Sequence, residues 1–165
     1  MKFTTVALIG AASATFPANW PKMDLGHAHC EMDVKFMANC DTAYLAISNT
    51  LANFESDQTA DPGKGTHVKF ARKQGDFLWD RRTTFKNGYV DDLIFNIEKF
   101  DQETQTCSVT SKSRSQSFSF WDFYVNYCSL RNVIEETGLE FSEPSVHNCR
   151  FEPNALKLEQ GACRR

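Results

Sequence analysis

The chain has no apolar run long enough to cross a membrane as a helix. It has no Asn-x-Ser/Thr sequon, so N-glycosylation is not expected. It has no Cys-x-x-Cys pair, which removes the usual zinc and thioredoxin signatures. A Gly-x-Ser-x-Gly elbow is missing as well, so Ser, His and Asp residues alone support no hydrolase. Nor is there a basic excess: 18 Lys and Arg stand against 21 Asp and Glu, for a formal charge of -3. A global field for nucleic acid is therefore absent. Internal repeats and long low-complexity tracts are also missing.

What is present points to one folded domain. The 165 residues are 41% hydrophobic, enough for one sizeable core, and 14 of them are Phe. Met1-Lys2, the apolar run Phe3–Ala12 and the small-residue triplet Ala12-Ser13-Ala14 read as a signal peptide cut near Ala14. The alternative at this end is a bipartite plastid leader, suggested by the Phe soon after the cut. Six cysteines follow: Cys30, Cys40, Cys107, Cys128, Cys149 and Cys163. An even number behind a leader predicts disulfides and a secretory-pathway location. Cys149–Cys163 is the natural local pair, stapling a loose tail; Cys107–Cys128 fits poorly, because a helix folding back carries Cys128 past the middle of the preceding strand.

Hydropathy period then orders the elements. Cys30–Phe36 alternates apolar and charged residues, as a half-buried strand does. Asn39 or Asp41 caps a helix through Phe54, with Tyr44, Ile47, Leu51 and Phe54 as its stripe. Glu55–Gly65 is turn chemistry. Four strands follow: Thr66–Arg72 with Val68 and Phe70 on one face, Phe77–Phe85, Tyr89–Phe100 and Thr106–Gln116. Gly75-Asp76 turns between the first two, and Asn87-Gly88 predicts a tight hairpin of the primed type. Ser119 with Asp122 predicts the cap of a second helix, whose buried face is Phe120, Phe123, Tyr127, Leu130 and Ile134. Gly138 ends it. The predicted fold is α+β: an antiparallel meander with an N-terminal and a C-terminal helix on one face, in helix-grip or cystatin-like outline. The domains are residues 1–14 (leader), 15–136 (α+β body) and 137–165 (disulfide-stapled tail).

The stretch Cys107–Glu136 carries the candidate chemistry. Ser111, Ser113, Ser115 and Ser117 point to one side of the fourth strand. They line either a polar cavity under the helix or a solvent-facing edge. Arg114 folding back to Asp122, with Asn126 one turn on, would bind an anionic or hydroxylated ligand, or would simply lock the corner. Arg131 lies further along the same helix. His27-x-His29-Cys30 lacks a carboxylate partner at ligand spacing, so no metal and no cofactor are expected. His67 and His147 stand alone. Lys69, Arg72, Lys73, Arg81, Arg82 and Lys86 read as a solvated basic sheet face rather than a nucleic-acid platform.

The set Asp91-Asp92-Leu93-Ile94-Phe95, Ser111-Lys112-Ser113-Arg114-Ser115, Ser119, Asp122, Asn126 and Arg131 resembles the domain-of-unknown-function 1499 family of bacteria and photosynthetic eukaryotes. Ser115-Gln116, Ser119, Asp122-Phe123 and Asn126-Tyr127-Cys128, with Asp61-Pro62-Gly63, are similar to its secreted, cysteine-bearing diatom and algal versions. The likeness is best over residues 89–133. Where bacterial members usually carry Arg, this chain has Tyr127 or Ser129. The resemblance implies a shared fold and supplies neither an activity nor catalytic residues.

The functional expectation is a non-enzymatic domain that binds a small molecule or a protein partner between sheet and helices, through Arg114, Asp122, Asn126, Ser113 and Tyr127. Phe95, Trp79, Phe120, Phe123, Tyr124 and Tyr127 supply the aromatic lining. The alternative is an enzyme built on Arg114, Asp122 and Asn126. A cystatin-type protease inhibitor ranks last, since no Gln-x-Val-x-Gly-like wedge is visible.

Overall fold

The computed structural model describes residues 26–71, 77–84, 87–119 and 121–164. The leader, the Gly75-Asp76 turn, Phe85, Lys86 and Phe120 lie outside them. The order is β1 (His29–Phe36), α1 (Cys40–Ser56), β2 (Gly65–Ala71), β3 (Phe77–Thr84), β4 (Val90–Asp101), β5 (Thr106–Ser115), α2 (Val125–Glu136), β6 (Ser145–His147) and α3 (Ala155–Glu159). The fold is α+β, as expected. β2 to β5 form the meander, and the full antiparallel sheet runs β2-β3-β4-β5-β1-β6.

Asn39 caps α1 by accepting from Thr42 N at 2.8 Å. Ile47, Leu51 and Phe54 of α1 and Leu130, Val133 and Ile134 of α2 join one core with Met32, Val34, Leu93 and Phe95. Burying each such side chain contributes about 1.5–3 kcal/mol, so the apolar stripes suffice to hold both helices on one sheet face.

β5 corrects the reading of the serine row. It is flanked by β4 and β1, so it is no edge strand, and Ser111, Ser113 and Ser115 are buried. In β2 it is His67 that faces the core, while Val68 is 52% exposed. The β3–β4 hairpin forms, but Thr84 pairs with Tyr89 across four residues, and Gly88 has positive φ, at 64°. The tail is less irregular than expected, since β6 pairs with β1 and α3 follows.

The cysteines form three disulfides: Cys30–Cys149, Cys40–Cys107 and Cys128–Cys163. The expected Cys149–Cys163 pair is not made, and topology explains why. β6 runs beside β1 and delivers Cys149 to Cys30, while the chain after α3 returns over α2 to Cys128. Cys107 sits opposite Phe36, next to the start of α1 and Cys40. Three disulfides fit an oxidising environment. Among the described residues no helix is long and apolar enough to cross a membrane.

Candidate functional site

Strand register puts a polar row across one end of the helix-covered face. His67 pairs with Arg82, Arg82 with Asp91, and Asp91 with Ser115. Directly opposed residues share a face, so these four side chains line up beneath the helices. Farther along, the row Leu78, Phe95, Ser111 and Met32 is apolar but for Ser111, whose hydroxyl donates to the Met32 carbonyl. The sheet face therefore changes from apolar to charged along its length. All four members of the polar row are buried.

The outer end of that row is tied by a chain of charges. His67 Nδ1 lies 2.6 Å from Asp80 Oδ2, and its Nε2 lies 3.3 Å from Asp61 Oδ2. Arg82 Nε donates to the same Asp61 oxygen at 2.9 Å, and its Nη2 donates to the Gly63 carbonyl at 2.8 Å. The loop of Asp61-Pro62-Gly63-Lys64-Gly65 wraps the guanidinium. A Cβ on Gly63 would stand 2.6 Å from Arg82 Nη2, and one on Gly65 would collide with Nε and Cζ. Glycine is thus required by close approach. Burial alone pushes the Asp61 carboxyl up, but the His67 hydrogen bond, the Arg82 charge and the Gly65 and Gly63 amides hold it well below the usual range. Burial pushes His67 down, and its bonds to Asp61 and Asp80 outweigh this and raise it above its ordinary value, while burial also raises Asp80.

The inner end is knitted to α2. Ser115 Oγ donates to Asp91 Oδ1 at 2.5 Å and accepts from Asn126 Nδ2 at 3.2 Å. Ser113 Oγ donates to Asn126 Oδ1 at 2.6 Å. Asn126 Nδ2 also donates to Asp122 Oδ2 at 2.9 Å. Asp122 accepts from the backbone N of Tyr124 and Asn126, at 3.1 and 3.2 Å. Asp122 thus satisfies the free amides at the start of α2. The expected Ser119 cap is not made: Ser119 Oγ donates to the Trp121 carbonyl, and α2 begins six residues later, at Val125. Phe123 and Tyr124 have positive φ, 48° and 71°. For aromatic residues this is strained backbone. It turns Phe123 outward, 82% exposed, while Asp122 stays buried.

Between these parts lies a cleft of about 690 Å³. Arg82, Asp91 and Ser115 form its floor; Tyr89, Trp121 and Phe123 stand at its mouth. Trp121 stacks on Phe151 at 5.4 Å and 23°, which braces the indole. The C-terminal segment closes one wall through Lys157, Gln160 and the Cys128–Cys163 disulfide. Lys157 Nζ donates to the Tyr124 hydroxyl at 2.5 Å.

Asp91 is the unusual group. It is 0% exposed, and among the described residues nothing pairs with its Oδ2. Burial raises its pKa to about 6; Ser115 and Arg82 oppose the rise, and the charges of Asp122 and Asp92 add to it.

The residues expected to form the site are only partly brought together. Ser113, Asp122 and Asn126 do meet, and Asp122 lines the cleft. Arg114 does not reach Asp122. It opposes Asp92 on the other sheet face, and its Nη2 contacts His27 Nδ1 at 3.0 Å. Tyr127 is buried in the core, with its hydroxyl 3.4 Å from Arg131 Nη1. Arg131 pairs with Glu135 and Glu143 at 2.7 and 2.5 Å. Of the expected aromatic lining, Phe123 and Tyr124 belong to the cleft, Phe95 and Tyr127 to the core, and Trp79 donates to Asp92 at 3.2 Å on the far face. Arg82 is buried rather than part of a solvated basic face. His67 is not alone, as expected from sequence, but sits between two carboxylates. Arg82, Asp91 and Trp121 were missed; the readable signal was parity, since Asp91 shares its face with Leu93 and Phe95. Among the described residues no group of His, Cys, Asp and Glu is arranged to hold a metal. No protein-family model matches the chain, and no curated protein sequence matches it either.

Proposed function

We propose that this protein is a small-molecule binding domain of the secretory pathway whose site is the cleft between the polar row and the start of α2. One observation carries the reading: a wholly buried carboxyl with an unanswered oxygen lies in the floor of a cleft of about 690 Å³. Burying such a group without a partner costs about 1–3 kcal/mol or more, and a ligand that meets it recovers that cost. The strained, aromatic mouth and the size fit the same reading. The enzyme alternative built on Arg114, Asp122 and Asn126 has lost its arginine to the far face. Kinship with the domain-of-unknown-function 1499 family, and secretion through an N-terminal leader, belong to the same proposal. N-terminal sequencing of the protein exported by its own cells tests the leader.

A thermal-shift screen of a diverse compound library tests the site. Ligands raise Tm by binding the folded state alone. Ala162 lines the cleft, and Ala162→Trp fills it. The expected result is a set of hits whose shift vanishes in Ala162→Trp, while that variant keeps its own melting transition. Hits that persist in the filled variant, or no hits at all, overturn the reading.

A further inference from the structure

The chemistry of the cleft narrows its ligand, granted that the cleft binds one. Aliphatic side chains are scarce in it: Val125 and Ala162 are the purely aliphatic ones in a lining otherwise aromatic, polar, cysteine or glycine. An acyl chain or sterol prefers an enclosed aliphatic tunnel, which this is not. The mouth offers flat rings instead. Trp121 is 71% exposed and held by Phe151 behind it, Phe123 is 82% exposed, and Tyr89 is 50% exposed.

The floor offers hydrogen bonds of both kinds. Asp91 Oδ2 accepts, and the Arg82 guanidinium, clamped by Asp61 and the Gly63 carbonyl, presents a fixed donor plane beside it. Asp122 is already engaged by Tyr124 and Asn126. Charge argues against an amine: Lys64, Arg82 and Lys157 line the cleft against the carboxylates Asp91 and Asp122. It argues equally against a free anion, because Arg82 is neutralised by Asp61 and the floor itself is a carboxyl. What remains is a neutral molecule with adjacent hydroxyls on its edge and a flat C–H face. A hydroxyl pair fits a carboxylate and a guanidinium side by side; the ring face fits an indole.

We infer that the cleft is a carbohydrate site, taking a neutral oligosaccharide whose sugar ring lies on Trp121 and whose hydroxyls reach Asp91 and Arg82. Asp91 accepts from one hydroxyl, Arg82 donates to its neighbour, and Phe123 and Tyr89 cover the next ring outward. Specificity follows from the buried carboxyl, since a ligand without a donor leaves it unpaired.

Isothermal titration calorimetry of the full, oxidised chain with cellotriose, laminaritriose, maltotriose and xylotriose tests this. The expected result is saturable binding of at least one trisaccharide, weakened about tenfold or more by Asp91→Asn, the range set by losing one hydrogen bond to a charged group. Trp121→Ala, at an exposed position that leaves the core untouched, is expected to weaken it by about the same factor. It serves even where Asp91→Asn disturbs folding. Sugar binding that neither variant alters overturns the inference. Library hits blocked by Ala162→Trp, with no trisaccharide bound, overturn the carbohydrate class and leave the binding cleft standing. Neither hits nor sugars overturn both.

Discussion

Two buried aspartates on neighbouring strands and loops show how donors decide charge. Asp61 receives His67, Arg82 and the amides of Gly63 and Gly65, and stays ionised. Asp91 receives Ser115 alone and is pushed up to about 6. The groups facing it are Arg82 from β3, Ser115 from β5, Asp122 ahead of α2 and its neighbour Asp92. Its pKa is raised above the unfolded value, so the folded state holds the proton more tightly. That contribution is full below about pH 4 and is lost as pH rises through about 6. Asp91→Asn removes it. The stability difference, variant minus wild type, is therefore expected to move in favour of the variant by about 2 kcal/mol between pH 4 and pH 7. Urea unfolding at both pH values measures this, and a difference that stays flat contradicts the assignment. In the sequence Asp91 was visible only as half of an acidic pair. Leu93 and Phe95 are buried core residues, and the period of two that links them also turns Asp91 inward. What the period does not carry is that β3 offers Arg82 opposite it, because that depends on the length of the hairpin. Asn87-Gly88 suggested a two-residue turn, and a four-residue connection sets a different register.

The corner from Ser119 to Tyr124 illustrates the cost of displaying a site. A continuous helix from Ser119 would satisfy its own backbone. Instead the chain spends a short non-helical segment, with two aromatic residues at positive φ, before α2 begins. Each such residue stores about 1–2 kcal/mol. Phe123 is mostly exposed and makes little return in packing. Phe123→Gly is accordingly expected to raise stability by about 0.5–1 kcal/mol, the strain released less the added freedom of the unfolded chain. The same variant is expected to weaken whatever ligand the cleft holds. Guanidinium unfolding measures the first effect and calorimetry the second; a destabilised Phe123→Gly would show that φ of 48° carries no strain there. Sequence brought Asp122 and Asn126 together by i, i+4 spacing, and the two side chains do meet, but across the start of α2, with Asp122 ahead of the helix rather than on one of its turns. It missed the late helix start, because Ser-x-x-Asp has the spacing of a capping box whether or not the chain uses it. Long aromatic residues do not announce left-handed backbone, so nothing local marked Phe123 and Tyr124.

The three disulfides divide their labour according to the sheet order. Cys30–Cys149 ties β1 to the segment that follows β6, and Cys40–Cys107 ties the first turn of α1 to β5. Cys128–Cys163 does something different: both cysteines line the cleft, and the bond holds the wall that carries Lys157 and Gln160. Asn132 Nδ2 helps by donating to the Cys163 carbonyl at 3.0 Å. α3 has no fully buried residue, and Leu158 packs partly against the core, so the bond adds a covalent anchor to a lightly held helix. The meander was legible because each strand pair is local. The disulfide pairing was not, because it depends on β1 inserting beside β5 and on the tail turning back over α2, neither of which leaves a local mark. The double variant Cys128→Ser/Cys163→Ser keeps the sheet, both helices of the core and the other two bonds. Removing a loop of this length is expected to cost about 3–4 kcal/mol at most. The expected signature is local: limited proteolysis cuts within residues 155–164 at protease levels that leave the wild type intact, while the cleft loses its ligand. Uniform resistance to cleavage would mean that Asn132 and the Lys157–Tyr124 bond hold the wall unaided. Global unfolding would mean that the wall is part of the cooperative core, so that the cleft cannot open without the domain.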